Sequence, residues 1–383
     1  MKSAVICQVR LTHYRTKFFD LLKVACEQRG IALQLVYGQP PARDLVRQDQ
    51  GDLPWAQRVR NRFFKFGPWD IVWQPAPAVV DVADLVVITQ ENRIVSNYPL
   101  LFSRLWSRRK VAYWGHGVNF QSDAPSGLRE KWKQMMLKRV DWWFAYTEMT
   151  VDILRRADYP AQRITCLNNA IDNEAFERDL ASVTDAQLRA MRVELDVTEG
   201  APVGLFCGSL YPDKKLDLLV TAGDQIHKVI PGFRLVVIGD GPSAKDIQSA
   251  AASRPWLKCV GVQKGRAKAV YFRVADLVLN PGLVGLHVLD SFCAGVPMIT
   301  TAAARHSPEI AYLRNGVNGL VVNGGADAYA NAVIELLRDK DRLAALKQAA
   351  LLDARSFTLD NMVNRFADGI ERCLAMPPKG KWA

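Results

Sequence analysis

Eight short runs rich in β-branched residues punctuate this 383-residue chain, four ahead of residue 116 and four beyond residue 200, with helical stretches between them. The early runs are SAVICQV, IALQLVYG, DLVVIT and KVAYWG; the late ones are APVGLFCG, FRLVVIG, DLVLNPG and PMITT. Strands that alternate with helices pair in parallel, and such sheets hold their ligands in the loops at the carboxyl ends of the strands. The pattern predicts an α/β fold of two doubly wound, Rossmann-like domains, over 1–170 and 202–355, with a cleft between them. Residues 171–201 are polar, lack strand character and are expected to connect the two. A last amphipathic stretch over 357–375 places Phe357, Met362, Phe366, Ile370 and Leu374 on one apolar stripe of a helix.

Composition excludes several classes. Hydrophobic residues make up 49% and charged residues 23%, and no apolar run approaches the roughly 18 residues that a membrane-spanning helix needs. The opening MKSAVICQVR reads as a first strand, too short in its apolar part for a secretory signal, so a cytoplasmic protein is expected. The seven cysteines lie far apart and show no Cys-x-x-Cys pair, which predicts reduced thiols and neither a disulfide framework nor a zinc site. No metal-ligand spacing is found elsewhere, Asp339-Lys340-Asp341 included. Net charge is +11, and residues 1–170 carry almost all of it, with 25 Lys and Arg against 15 Asp and Glu. Such a basic half suits an anionic membrane surface, phosphate-bearing lipid or nucleic acid; no nucleic-acid motif and no dense basic run accompany it, and nucleic acid is set aside.

Several stretches admit a functional and a plain structural reading side by side. VGLFCGSLYPDKKLDLL (203–219) reads as strand, glycine turn and a helix beginning near Lys214. Backbone N–H groups and a lysine there suit a diphosphate, or form a turn with a solvated Lys-Lys pair. Gly239 and Gly241 in VVIGDGP allow close approach of a ligand, or make a tight turn. In NPGLVGLHVLDSFCAGVP, Gly285 and Leu286 present backbone amides and Asp290 stands near a helix start, where it reads a pair of ribose hydroxyls or simply faces the helix dipole. His116 sits between two glycines in WGHG, as a hydrogen-bonding group or a satisfied structural side chain. His13, Tyr14 and Arg15 follow the first strand, where Arg15 meets an acceptor phosphate or a surface carboxylate. The stripe Leu128, Trp132, Met135, Met136, Val140 and Trp143 reads as a membrane-facing or a core helix, and PWAQRVRNRFFKFGPW mixes arginine with aromatics as a membrane rim does.

Taken together, GSLYPDKKLDLL, LVVIGDGP, VADLVLNPG, GLHVLDSFCAGVP and PEIAYLRNGVNGLVV, in that order, resemble the donor-binding domain of the retaining glycosyltransferase family 4, which has the GT-B fold. KVAYWGHGVNF and DWWFAYTEMTVDILRRADYPAQRITCLNNAID are similar to its acceptor-domain loop and domain crossing. The resemblance implies a C-terminal helix returning to the first domain. It implies that His116 and Lys214 serve catalysis, with donor contacts from Gly208, Ser209, Lys214, Lys215, Gly239, Gly241, Arg266, Gly285, Leu286 and Asp290, and acceptor contacts from His13, Tyr14 and Arg15. It further implies no metal or other cofactor beyond the nucleotide-sugar itself. The pattern departs in three ways, one of them a loop from Pro281 to Gly285 about three residues shorter. Ser209 stands where the family carries arginine, leaving Lys215 or Arg266 to neutralise the phosphate, and the Glu-x7-Glu pair becomes Gly282 and Asp290. Sugar reading is therefore expected to pass to backbone amides or other side chains such as His287. The expectation is a retaining enzyme moving a sugar to a lipid-linked or glycan acceptor in surface polysaccharide assembly, peripheral on the cytoplasmic face of the membrane. A catalytically silent partner or another GT-B nucleotide-sugar enzyme, such as an epimerase, stands beside it.

Overall fold

The computed structural model describes residues 1–41, 49–66, 69–104, 106–117, 132 and 135–377. The chain divides into two compact units, one of Met1–Ile171 with Leu359–Ala383, the other of Asp172–Thr358.

Within the first unit run strands β1 (Lys2–Gln8), β2 (Ile31–Tyr37), β3 (Gln57–Arg58), β4 (Arg62–Phe66), β5 (Trp69–Trp73), β6 (Leu85–Thr89), β7 (Lys110–Gly115), β8 (Trp142–Ala145) and β9 (Ile164–Cys166). Seven of them form a parallel sheet in the order β3-β2-β1-β6-β7-β8-β9. The β1 residues Ala4, Val5 and Ile6 are almost wholly buried, as a central parallel strand covered on both faces requires. Strands β4 and β5 make a separate antiparallel ribbon that starts within the PWAQRVRNRFFKFGPW stretch and runs on past it to Trp73. The predicted apolar stripe of residues 128–143 splits. Leu128 lies outside the described residues, Trp132 and Met135 are exposed, and Met136, Val140 and Trp143 are buried. Trp143 belongs to β8, a short strand of four buried residues whose apolar run periodicity alone cannot tell from a helix.

The helix Leu359–Ala375 completes this core. Phe366 stacks on Phe144 with centroids 4.2 Å apart and meets Trp114 edge-on at 5.0 Å. Its last carbonyls are taken by two lysines: Lys110 Nζ donates to those of Cys373 (2.7 Å), Leu374 (2.9 Å) and Met376, and Lys2 Nζ to that of Leu374 (3.0 Å). Cations at a helix C-terminus satisfy groups that have no partner inside the helix. Phe357, placed on the same stripe by spacing, instead stacks on Tyr312 of the second unit at 4.1 Å. Elsewhere in the first unit, Arg104 grips the buried Asp141 through two bonds of 2.8 Å, and Asp141 also accepts the Val111 amide at 3.0 Å.

The second unit holds β10 (Val203–Cys207), β11 (Arg234–Ile238), β12 (Leu257–Cys259), β13 (Leu277–Leu279), β14 (Met298–Thr301) and β15 (Gly319–Val322). They form a parallel sheet in the order β12-β11-β10-β13-β14-β15. Residues 171–201, read from sequence as a connection, carry two helices, Glu174–Ser182 and Asp185–Glu194, which lie in this unit. The second helix opens on a capping box of Thr184 and Gln187, a start signal in the sequence itself. Numbered within each sheet, both run 3-2-1-4-5-6, the first with one strand more. The order reverses between β1 and β6 and between β10 and β13, and ligands of open α/β sheets bind outside the carboxyl ends of the strands at such a reversal.

Candidate functional site

At the reversal in the second unit the loop after β10 meets the loop after β13. Leu283 N donates to Asp213 O at 2.9 Å, and Lys214 Nζ donates to Leu283 O at 2.5 Å. Gly282 lies against the 213–214 backbone so closely that a Cβ there would come within 3.0 Å of Asp213 O and of Lys214 Cα and C. The site of the expected acid thus has no room for any side chain. Thr300 and Thr301 bind the carbonyls of Gly282 (3.3 Å) and Pro281 (2.6 Å), while Val284 N donates to His306 Nδ1 at 3.1 Å. Beyond this fixed segment, the amides of Gly285 and Leu286 have no acceptor among the described residues.

Around the loop stand more cations than carboxylates. Lys214 is buried, which lowers its ammonium pKa to about 8 against the opposing pull of Asp213. His287 is held well below the usual histidine range by burial, then by the nearby charges of Lys214, Lys268 and His306. Its ring is therefore neutral at pH 7, and its Nε2 has no hydrogen-bond partner among the described residues. Burial also lowers His306, opposed by its bond to Thr301 O at 2.7 Å. Asp290, buried on the short helix Val288–Cys293, is raised by burial and pulled back by Lys268, whose Nζ lies 2.9 Å away. Lys268 in turn rests over the Phe176 ring at 4.2 Å. Two ammonium groups, free amides and a neutral imidazole beside the Asp290 carboxylate suit a ligand that carries both a polyanion and a hydroxyl pair.

Lys214, Gly285, Leu286 and Asp290 come together here, with Lys215 beside them in the left-handed conformation at φ 51°. Gly239 and Gly241 lie against the protein's own backbone, where a Cβ would collide with Gly208 O and Leu210 O respectively, whereas Gly208 donates its N–H to Ile238 O at 3.0 Å and has open space where a Cβ would stand. Ser209 is exposed. Arg266 is engaged elsewhere, donating to Ser182 O (2.8 Å) and Gln187 Oε1 (3.0 Å). The cation that joins the cluster from its helix, Gly265–Val274, is Lys268, which sequence reasoning missed. The available signal was its place four residues before the core residue Phe272. His306 was also missed, and nothing in its local sequence marks it.

The first unit's reversal carries a pocket of about 180 Å³, with Gln8 and Thr89, the last residues of β1 and β6, in its wall. Tyr14 and Arg15 line it, and His13 stands outside the lining, with Nδ1 3.4 Å from Asp49 O. Arg10, Arg93 and Trp114 join the wall, none of them expected from sequence. His116 stacks on the lining residue Tyr146 with centroids 4.1 Å apart, and its carbonyl accepts from Thr150 Oγ1 at 3.3 Å. Among the described residues no group of three or more His, Cys, Asp or Glu side chains is gathered to hold a metal, and no helix is long and apolar enough to cross a membrane.

Residues 201–339 match the family described as glycosyl transferases group 1. The D-inositol 3-phosphate glycosyltransferase of Nocardia farcinica is 29% identical over 195 residues, which are 47% of this chain and 42% of that protein. The lipopolysaccharide 1,2-N-acetylglucosaminetransferase of Salmonella typhimurium is 24% identical over 229 residues, 55% of this chain and 56% of that protein. The chain thus spans about half the length of these curated relatives. Among solved structures, Anabaena Alr3699/HepE in complex with UDP aligns with a TM-score of 0.66 at 16% identity, covering 97% of this chain and 100% of that one. The fold is the GT-B type of α/β protein that the sequence led us to expect.

Proposed function

We propose that this chain is a glycosyltransferase that moves a sugar, with retention of anomeric configuration, from a nucleotide-sugar to a lipid-linked or glycan acceptor in surface polysaccharide assembly. The observation that carries the reading is the cluster at the second unit's strand reversal: Lys214, His287 and Lys268 beside Asp290, with the bare amides of Gly285 and Leu286. In this reading Lys214 and the amides hold the donor diphosphate and stabilise the charge that grows on it as the glycosidic bond breaks. Asp290 accepts from the ribose hydroxyls, and the neutral His287 offers its free Nε2 to the sugar. The acceptor hydroxyl attacks on the face the diphosphate leaves and gives its proton to a diphosphate oxygen, so no metal and no protein nucleophile takes part. Acceptor binding falls to the first unit through Tyr14 and Arg15, with His116 orienting the sugar or the incoming hydroxyl.

A peripheral place on the cytoplasmic face of a membrane is part of the same proposal. Phe64 and Trp73 are exposed on the β4–β5 ribbon amid the exposed Arg58, Arg60, Arg62 and Lys65, and Trp106 is 74% exposed. Aromatics among cations suit an anionic lipid interface.

The test is calorimetric titration of the protein with UDP, GDP, CMP, dTDP and ADP and their sugars, repeated with Lys214→Met and Asp290→Asn. One nucleotide series should bind the wild type and lose at least tenfold in both variants. No binding across the panel would sink the donor site. Gly282 favours a second reading, a silent nucleotide-sugar binder, because the acid expected to read the sugar has no place in the fold; a product of retained configuration, seen by NMR, would remove it.

A further inference from the structure

The wall of the first unit's pocket is chemically one-sided. Arg10, Arg15 and Arg93 line it against a single carboxylate, Glu91. Arg10 has Asp49 at 3.2 Å, and Arg93 has Glu91 at 2.6 Å. Arg15 is different: only 9% exposed, it reaches the Asn169 side-chain oxygen, the Ala170 carbonyl (3.1 Å) and the Met362 sulfur (3.5 Å), and among the described residues no carboxylate pairs with it. A buried cation held by neutral acceptors leaves its charge uncancelled, and the surrounding low dielectric projects that charge onto whatever enters.

A second observation points the same way. Trp114 is 2% exposed, lines the same pocket, and its indole N–H has no acceptor among the described residues. Buried polar groups in native proteins are satisfied almost without exception, so an orphan donor beside an unneutralised guanidinium calls for an oxygen-bearing ligand. Packing keeps the indole in place: Phe18, Phe19, Phe366 and Tyr146 all stand within 6.1 Å of its ring, measured between centroids. Guanidinium groups at residues 10 and 15 after β1 and at residue 93 after β6, together with the indole after them on β7, offer donors from several elements. That arrangement fits a tetrahedral dianion better than a flat carboxylate, which one guanidinium fork saturates.

We infer that this pocket binds a phosphoryl group of the acceptor, gripped by Arg15, Arg93 and Arg10 and by the Trp114 indole N–H. The inference rests on the acceptor reading of the pocket and narrows it to phosphorylated acceptors, free or lipid-linked. When the phosphoryl group enters, Asp49 and Glu91 give up part of their hold on Arg10 and Arg93, and the indole gains its missing partner.

The test uses the full chain without nucleotide. Glycerol 3-phosphate and glycerol are titrated by calorimetry into the wild type, into Arg93→Gln, whose side chain is half-exposed, and into Trp114→Phe, which removes the N–H and keeps an aromatic ring. Glycerol 3-phosphate should bind at least tenfold tighter than glycerol, and each variant should lose about tenfold of that affinity, as the loss of a charge-assisted hydrogen bond predicts. Unaltered circular dichroism in Arg93→Gln guards against misfolding. Equal affinity for glycerol and its phosphate, or wild-type affinity in both variants, would overturn the inference. Nucleotide binding that depends on Lys214, read across the same panel of nucleotides, reports on the second unit separately: nucleotide binding retained with phosphate binding absent defeats the pocket inference alone, and the reverse defeats the donor reading alone. Vesicles of phosphatidic acid in phosphatidylcholine distinguish the sources: co-sedimentation abolished by Arg93→Gln assigns a lipid-linked phosphate, and soluble binding without co-sedimentation assigns a free one.

Discussion

Replacing Gly282 by alanine tests the central claim about the donor loop, that residue 282 is a backbone contact and has ceased to be a place for a side chain. The new Cβ would stand within 3.0 Å of Asp213 O and of Lys214 Cα and C, all backbone atoms, whereas ordinary contact begins at 3.4 Å. No rotamer change relieves that overlap; the 281–284 loop must retreat from the 213–214 turn. Retreat stretches the Leu283 N to Asp213 O bond, now 2.9 Å, and the Lys214 Nζ to Leu283 O bond, now 2.5 Å. One neutral and one charge-assisted hydrogen bond, each weakened, together with overpacking strain, come to about 4 kcal/mol. The second unit, residues 172–358, is of a size at which 1 kcal/mol moves the melting temperature by about 2–4 °C, so its transition should fall by about 8–16 °C. Differential scanning calorimetry on the full chain reads the shift, and hydrogen exchange at the Leu283 amide shows whether the loop is its origin. A fall under about 2 °C with the Leu283 amide still protected would refute the reasoning. Placing the acid expected at this position with Gly282→Glu should do at least as much damage, and a gain in sugar-nucleotide affinity from it would refute the steric account outright.

Three other perturbations follow from described geometry. Lys214, lowered to about 8 by burial, loses its proton in the free protein as pH rises through that value, so affinity for a nucleoside diphosphate should fall about tenfold per pH unit above it; a flat profile from pH 7 to 9.5 would remove Lys214 from the site. The same depression means the unfolded chain holds more protons than the folded one between about pH 8 and the ordinary lysine value near 10.5, so this group's contribution makes folding more favourable as pH rises across that window. Asp141→Asn leaves the buried Arg104 without its anionic partner and should cost about 3–5 kcal/mol, seen in urea titration as a lower midpoint with an unchanged slope. Lys110→Met removes the donor to the carbonyls of Cys373, Leu374 and Met376 and should loosen the end of the helix Leu359–Ala375, read as faster amide exchange over 370–376 with the rest of that helix unchanged.

All eight β-branched runs became strands, because a parallel strand buried on both faces writes its burial into consecutive residues. Strand β8 escaped for the same reason: WWFA is so short and so apolar that it joined the helical stripe before it. The helix Asp185–Glu194 was hidden in a polar stretch whose signal was the capping pair Thr184 and Gln187, not an apolar face, and the helix Glu174–Ser182 before it shows only the pair Phe176 and Leu180. At the candidate site, Lys214, Asp290 and the 285–286 amides were legible from local motif. Lys268, His306, Arg93 and Trp114 were not, since each reaches its place through pairing between strands far apart in sequence. The glycines at 239 and 241 carry the same letters whether they admit a ligand or the neighbouring 208–210 loop, and only the fold distinguishes the two.

The helix Leu359–Ala375 lies in the same unit as β1, yet all 187 residues of the second unit, 172–358, are synthesised between them. On the ribosome, the faces of Phe18, Trp114 and Phe144 that Phe366 covers are made early and stay without their cover until the whole second unit has been made. The second unit has every strand of its sheet in one unbroken stretch and can close first, while the first waits as an apolar surface open to chaperones or to misassociation. A chain cut short just before residue 359 would carry one finished domain and one unfinished, so quality control of this protein turns on the helix Leu359–Ala375.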